Sequence, residues 1–166
     1  VIEAVPENLT LKQEIFCKLD QVVKPEAILA SNTSALAISA ISVTMQNPQR
    51  CVGMHFFYPA TIMKLVEVIA GCSTDERTLE IARSFAGQIG KTPARAPELP
   101  GFLVNRMLVP MQNEAAFLVM EGADPKDVDN AMKLGANFPM GPLELTDFVG
   151  VDVMYNTMLT LYESFH

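Results

Sequence analysis

His55 and Glu67 are the two residues whose types and setting point most directly to proton chemistry. His55 is the one histidine before the chain-terminal His166, and it closes the apolar run Cys51-Val52-Gly53-Met54. Twelve residues on, Glu67 interrupts the apolar run Lys64-Leu65-Val66-Glu67-Val68-Ile69. A carboxylate buried there would cost on the order of several kcal/mol unless paired or hydrogen-bonded. If the two runs are neighbouring strands, the imidazole is the natural partner, and a carboxylate on one ring nitrogen leaves the other free as a general base. Two plainer readings stand beside this one: a half-buried structural histidine, and a Glu67 at a solvent-facing strand position, which alternation permits.

Two further polar groups could orient a substrate. Ser31-Asn32-Thr33-Ser34 follows the apolar run Ala27-Ile28-Leu29-Ala30, and Asn105 lies in the first turns of a helix after Pro100-Gly101. Turn chemistry alone accounts equally for the first, and a capping or surface role for the second. There is no G-x-G-x-x-G and no metal-ligand spacing, so phosphate cradling must come from elsewhere and no metal is expected. Cys17, Cys51 and Cys72 are odd in number and scattered, which supports neither a disulfide framework nor a zinc site. Met107, Met111, Met120, Met132 and Met158 fall in helical segments and read as core filler.

The elements that must position these residues alternate in type. Val1–Val5 reads as a short strand, and Asn8–Val22 carries Leu9, Leu11, Ile15, Phe16 and Leu19 at helical spacing. Ala27–Ala30, Arg50–Phe57 and Lys64–Ala70 read as strands, and Asp75–Gly90 as a helix that Gly90 stops. This alternation predicts βαβ units and a mainly parallel sheet through about residue 97, with His55 at the carboxyl end of its strand, where such sheets bind ligands. Pro93, Pro97 and Pro100-Gly101 then mark a connector. Beyond it the reading is all helical: Phe102–Gly122 with Pro110 as a candidate kink, Asp124–Leu134, and a segment from Gly141-Pro142 to Tyr162 interrupted near Gly150.

Composition bounds the rest. With 49% hydrophobic and 19% charged residues, the 166-residue chain can bury a core, which excludes disorder. A formal charge of −7 gives no general attraction for nucleic acid or anionic membranes, and no apolar run approaches the ~20 residues of a membrane span. The N-terminal Val1-Ile2-Glu3 lacks the basic start of a signal peptide and opens directly in a strand-like run. The sequence therefore reads as a soluble, intracellular protein, seen as a processed or truncated piece.

Six blocks in order carry a resemblance. They are Val1-Ile2-Glu3-Ala4-Val5-Pro6-Glu7-Asn8, Ala30-Ser31-Asn32-Thr33-Ser34, Met54-His55-Phe56-Phe57, Met63-Lys64-Leu65-Val66-Glu67-Val68, Pro100-Gly101-Phe102-Leu103-Val104-Asn105-Arg106, and Met132-Lys133-Leu134-Gly135-Ala136 through Met140-Gly141-Pro142. Together they resemble the 3-hydroxyacyl-CoA dehydrogenase family over essentially the whole chain. The resemblance implies the second half of a doubly wound, Rossmann-like NAD-binding domain over residues 1–98, followed by part of a helical domain over 99–166 through which the family typically forms a homodimer. It implies oxidation of the L-3-hydroxyl of an acyl-CoA with NAD, or the reverse. His55 resembles the catalytic base and Glu67 its partner, while Ser34 and Asn105 resemble the residues that contact the substrate near C3. Glu7, Lys12, Ser34 and Tyr58 fall where the family contacts the dinucleotide.

Two departures qualify the resemblance. The family generally has Asn where this chain has Tyr58, placing a phenol where a short amide would stand beside the cofactor. The family also begins roughly eighty residues earlier, with the Gly-rich turn that holds the pyrophosphate, and continues past residue 166. The 166 residues alone are accordingly expected to be inactive and to bind NAD weakly or not at all. The expected compartment is the cytoplasm, or the mitochondrial matrix or peroxisome of a eukaryote. The rival expectation is a non-catalytic structural protein on the same fold, of the lens-crystallin kind; the presence of both His55 and Glu67 argues against it, since a structural role does not require the pair.

Overall fold

A computed structural model describes residues 1–165. Contacts divide the chain into two compact units, the first spanning Val1–Leu103 and the second beginning at Val104.

The first unit is a five-stranded sheet in sequential order: β1 (Ile2–Glu3), β2 (Leu29–Ser31), β3 (Cys51–Phe56), β4 (Leu65–Ile69) and β5 (Thr92–Ala96). Helix α1 (Leu9–Val22) crosses from β1 to β2 and is capped by the Asn8 side chain, which accepts the Leu11 N–H. The short α2 (Ile38–Ser42) lies between β2 and β3, and α3 (Glu76–Gln88), capped by Asp75, crosses from β4 to β5. Pairings that have a helical crossover are parallel, as expected. The β3–β4 pairing is antiparallel because only the loop of residues 57–64 separates the strands.

The period-two alternation of the strands sorts side chains into two cores. Leu29, Cys51 and Ile69 pack with Phe16 of α1, Ile38 and Ile41 of α2, and Phe102 on one face. Ala30, Val52, Met54, Val66 and Val68 pack with Leu79, Ala82 and Ala86 of α3 on the other. Glu3, Ser31, Gly53, His55 and Glu67 share the parity of the first face. Helix α2 presses close there: a Cβ on Gly53 would lie 2.9 Å from Ile38 Cδ1 and 3.0 Å from the Ile69 side chain.

One element differs from the sequence expectation, and one carries too little sequence signal to be expected. Thr92–Ala96, read as connector because of Pro93, is strand β5; it pairs on one side with β4, and at such an edge a proline without an N–H is tolerated. The apolar stretch from Ala35 contains α2, too short for periodicity to reveal.

In the second unit, α4 (Val104–Met120) runs through Pro110 as one helix. It is followed by α5 (Pro125–Gly135), α6 (Pro142–Val149) and α7 (Val151–Phe165). Asp124 caps α5, and the Asp129 carboxylate accepts the Leu143 and Glu144 N–H groups at the start of α6. The side chain of Asp129 lies so near Gly141 that no Cβ fits there. Gly150, at φ +107°, makes the break between α6 and α7.

Candidate active site

His55 and Glu67 face each other as cross-strand partners in the antiparallel β3–β4 pair. Nδ1 of His55 is 2.7 Å from Oε2 of Glu67. Glu67 is fully buried, and its Oε1 accepts the main-chain N–H of Leu103 at 2.9 Å. The carboxylate therefore has the partners its burial demands. Because a carboxylate only accepts, Nδ1 bears the hydrogen, and in the neutral imidazole the lone pair lies on Nε2. Phe57 and Phe102 line the imidazole, with ring centroids 4.6 and 5.6 Å away. Nε2 has no hydrogen-bond partner among the described residues, whereas every solvent-sealed side-chain nitrogen and oxygen there has one. The 5% of His55 that stays exposed thus includes the basic nitrogen.

The joint that supplies the Leu103 N–H is unusual. Gly101 (φ +75°) and Phe102 (φ +47°) are consecutive left-handed residues, and a bulky aromatic rarely adopts that conformation. Phe102 is held there by near-complete burial in the α1/α2 core and by its N–H, which donates to the Leu99 carbonyl at 2.9 Å.

A second polar cluster sits at the carboxyl ends of β1 and β2. Oε1 of Glu7 accepts the Thr33 hydroxyl and the N–H groups of Ser34 and Ala35. Its Oε2 lies 3.5 Å from Nζ of Lys12, and the Glu7 side chain is 40% exposed. Lys12, 1% exposed, donates to Glu3 Oε1 at 2.7 Å and to the Val5 carbonyl at 3.2 Å. Glu3 Oε2 accepts the Ser31 hydroxyl at 2.7 Å. The Asn32 side-chain oxygen accepts the Phe56 N–H at 2.8 Å, tying the end of β2 to the strand that carries His55.

The structure thus brings together His55 with Glu67, and Glu7 with Lys12 and the Ser31–Ser34 turn. Within that turn, Ser31, Asn32 and Thr33 are committed to the fold, while the exposed Ser34 hydroxyl has no partner among the described residues. Asn105 is half-buried in the first turn of α4, in the second unit. Tyr58, 83% exposed, follows the β3 strand end. Sequence reasoning passed over Glu3, Phe102 and Leu103. Glu3 carries the signal that marked Glu67, an acid inside an apolar strand, diluted because the run is short. The role of Leu103 lies in its main chain and has no residue-type signature. A separate cleft of about 380 Å³, lined by Asp20, Asn47, Arg50 and Asp75, opens beside the start of β3, away from the strand end that carries His55. Among the described residues no cluster of three or more His, Cys, Asp or Glu could hold a metal.

Sheet order, crossover helices and the polar groups gathered at the strand ends define a Rossmann-like domain followed by a helical one. The chain belongs to the 3-hydroxyacyl-CoA dehydrogenase family: the family's NAD binding domain matches residues 1–99 and its C-terminal domain residues 101–166. The chain is 48% identical over 164 residues to a probable 3-hydroxybutyryl-CoA dehydrogenase of Deinococcus radiodurans, covering 98% of this chain and 59% of that protein. It is 47% identical over 153 residues to the human mitochondrial hydroxyacyl-coenzyme A dehydrogenase, covering 92% of this chain and 49% of that one. The crystal structure of (S)-3-hydroxybutyryl-CoA dehydrogenase PaaH1 from Ralstonia eutropha superposes with a TM-score of 0.95 at 43% identity, over 99% of this chain and 59% of that chain. The 166 residues therefore span between about half and three-fifths of these relatives.

Proposed function

We propose that the protein carrying this chain is an NAD-dependent L-3-hydroxyacyl-CoA dehydrogenase, acting on the C3 hydroxyl of an acyl-CoA. The observation that carries the reading is the His55–Glu67 pair, with its basic Nε2 open to solvent. The Glu7 side supports the cofactor: one carboxylate oxygen is locked by three donors, and the other, on a side chain 40% exposed, suits a ribose hydroxyl. Bound NAD would supply the acceptor for the hydride that leaves C3. His55 Nε2 takes the hydroxyl proton as the carbonyl forms, and the Glu67 carboxylate stabilises the resulting imidazolium through Nδ1. The Phe57 and Phe102 rings shield the imidazole from water on its flanks, which strengthens that ion pair. Ser34 offers an unused hydroxyl to orient the substrate, and the family resemblance gives Asn105 a like task. Tyr58 takes the dinucleotide-side position at which the family has Asn.

The helical unit supports a homodimer. Phe117, Leu118, Met120, Val151, Val153 and Tyr155 are exposed apolar or aromatic residues, more than a short bundle ordinarily leaves to water. No helix among the described residues is long and apolar enough to cross a membrane. The proposed compartment is the cytoplasm, or the mitochondrial matrix or peroxisome of a eukaryote; the human relative's name places that protein in mitochondria. The test is NADH-dependent reduction of acetoacetyl-CoA by the full-length protein, followed by NADH absorbance, with NADPH as a parallel arm. Saturable turnover with NADH is expected; no turnover with either cofactor would overturn the assignment. Sedimentation showing a monomer at micromolar concentration would overturn the homodimer.

A further inference from the structure

We propose that Glu3 is a positioning residue for the dinucleotide site, acting through Lys12 to keep one oxygen of Glu7 available to a ligand hydroxyl. This rests on the proposed function, in which Glu7 meets the cofactor, and adds a residue that neither the motifs nor the His55–Glu67 chemistry requires.

Lys12 is one of the largest fully buried side chains among the described residues. A buried ammonium needs carboxylate or carbonyl partners for its donors, and it settles on whichever carboxylate is nearest. Here Glu3 Oε1 is nearest, at 2.7 Å, and Glu7 Oε2 stands off at 3.5 Å. Glu3 is itself fixed as a hub: Oε1 also accepts the Val5 N–H at 2.6 Å, and Oε2 the Ser31 hydroxyl at 2.7 Å from the directly paired strand position. The hub thus anchors the ammonium on the β1 side.

Glu7 has only one oxygen to offer. Oε1 is taken by the Thr33 hydroxyl and the Ser34 and Ala35 N–H groups, so Oε2 is what faces the open edge. If Glu3 lost its charge, Glu7 would be the sole carboxylate within reach of Lys12. The ammonium would close onto Oε2 and cap the acceptor that a ribose hydroxyl uses. Glu3 therefore acts on cofactor affinity at one remove, without touching the cofactor.

The experiment measures NADH affinity by fluorescence titration in full-length protein carrying Glu3→Gln, which keeps the size and polarity of the side chain and removes its charge. The dissociation constant for NADH should rise about tenfold or more, the scale of a charge-assisted hydrogen bond, while the KM for the acyl-CoA stays within about twofold. Leu79→Ala, which opens a cavity in the core on the opposite face of the sheet, is the stability control. A folded Glu3→Gln variant with unchanged NADH affinity overturns the proposal, and so does an equal loss of affinity in the control at matched stability. Should Glu3→Gln not fold, Glu3→Asp decides, since it keeps the charge and withdraws it from Lys12: weaker NADH binding supports the proposal and unchanged binding overturns it. Absence of NADH binding by the unsubstituted protein is a different result, and it removes the functional reading itself.

Discussion

Glu67 and Leu103 are joined by a main-chain hydrogen bond of 2.9 Å that leaves the other carboxylate oxygen for His55. The carboxylate thereby ties two strands to the joint that leads out of the sheet. This joint passes through two left-handed residues, Gly101 and Phe102, and the Phe102 ring comes to rest 5.6 Å from the imidazole. One buried acid thus fixes both the orientation of the base and the path of the chain beside it.

Replacing His55 by Gln in the full-length protein should lower kcat by on the order of a hundredfold or more, with NADH affinity nearly unchanged. A general base acts in the transition state and not in cofactor binding. Steady-state turnover close to that of the unsubstituted protein would remove His55 from the role.

Glu67→Gln retains an oxygen for the Leu103 N–H and removes the negative charge opposite the imidazole. A neutral amide no longer offsets the imidazolium charge that develops as the proton is taken, so kcat should fall by on the order of tenfold or more while the KM for the acyl-CoA stays within about twofold. Unchanged kcat in steady-state kinetics contradicts a part for the pairing in turnover.

Asp20 provides a pH-dependent stability term remote from the site. Burial raises its pKa, but the Arg50 side chain and the N–H groups of Asn47 and Gln46 outweigh that effect and hold the carboxyl below its ordinary 3.8. A lowered folded value means that this stabilisation is complete above the ordinary carboxylate range and is lost as pH falls through 3.8 toward the folded value. Asp20→Ala should cost about 1.5–3 kcal/mol at neutral pH, because Arg50 loses its carboxylate partner and keeps the carbonyls of Asp20, Lys24 and Pro25. In urea melts the gap to the unsubstituted protein should narrow only below about pH 4; a gap independent of pH down to pH 2 would contradict the ionic origin.

The three cysteines should differ sharply toward a thiol reagent. Cys51 is fully buried, and burial, reinforced by the Glu98, Asp20 and Glu3 carboxylates and opposed by the Val52 N–H, pushes its thiol up to about 12. Cys72 is exposed and Cys17 half-buried. At mildly alkaline pH Cys72 should label first, and Cys51 only at the rate of global unfolding, since the thiolate is the reacting form. Mass spectrometry of the native protein showing early modification at Cys51 would refute this account of the core.

Much of this was legible in the residues themselves. The helical and strand periods mark α1, α3 and the four helices after residue 103, because each buries one repeating face, and Gly90 and Gly150 stop helices where they were expected to. The placing of β5 was not legible: Pro93 argues against a strand, and only its edge position, a property of the whole sheet, makes the proline harmless.

The same division holds for the site. Residue type and setting alone singled out His55 and Glu67, since a carboxylate in an apolar strand needs a partner and few are available. The sequence by itself also determined the family, because the ordered blocks span both of its domains. Tertiary structure alone decided that the loop between β3 and β4 returns the chain antiparallel, putting the two residues in register. It also decided which members of the Ser31–Ser34 turn are spent on folding, and that Glu3 holds Lys12. These are contacts between residues up to 36 positions apart, as Leu103 is from Glu67. They involve main-chain groups and single carboxylate oxygens, and the geometry of neighbouring strands, rather than any local pattern of side chains, determines which of those atoms meet.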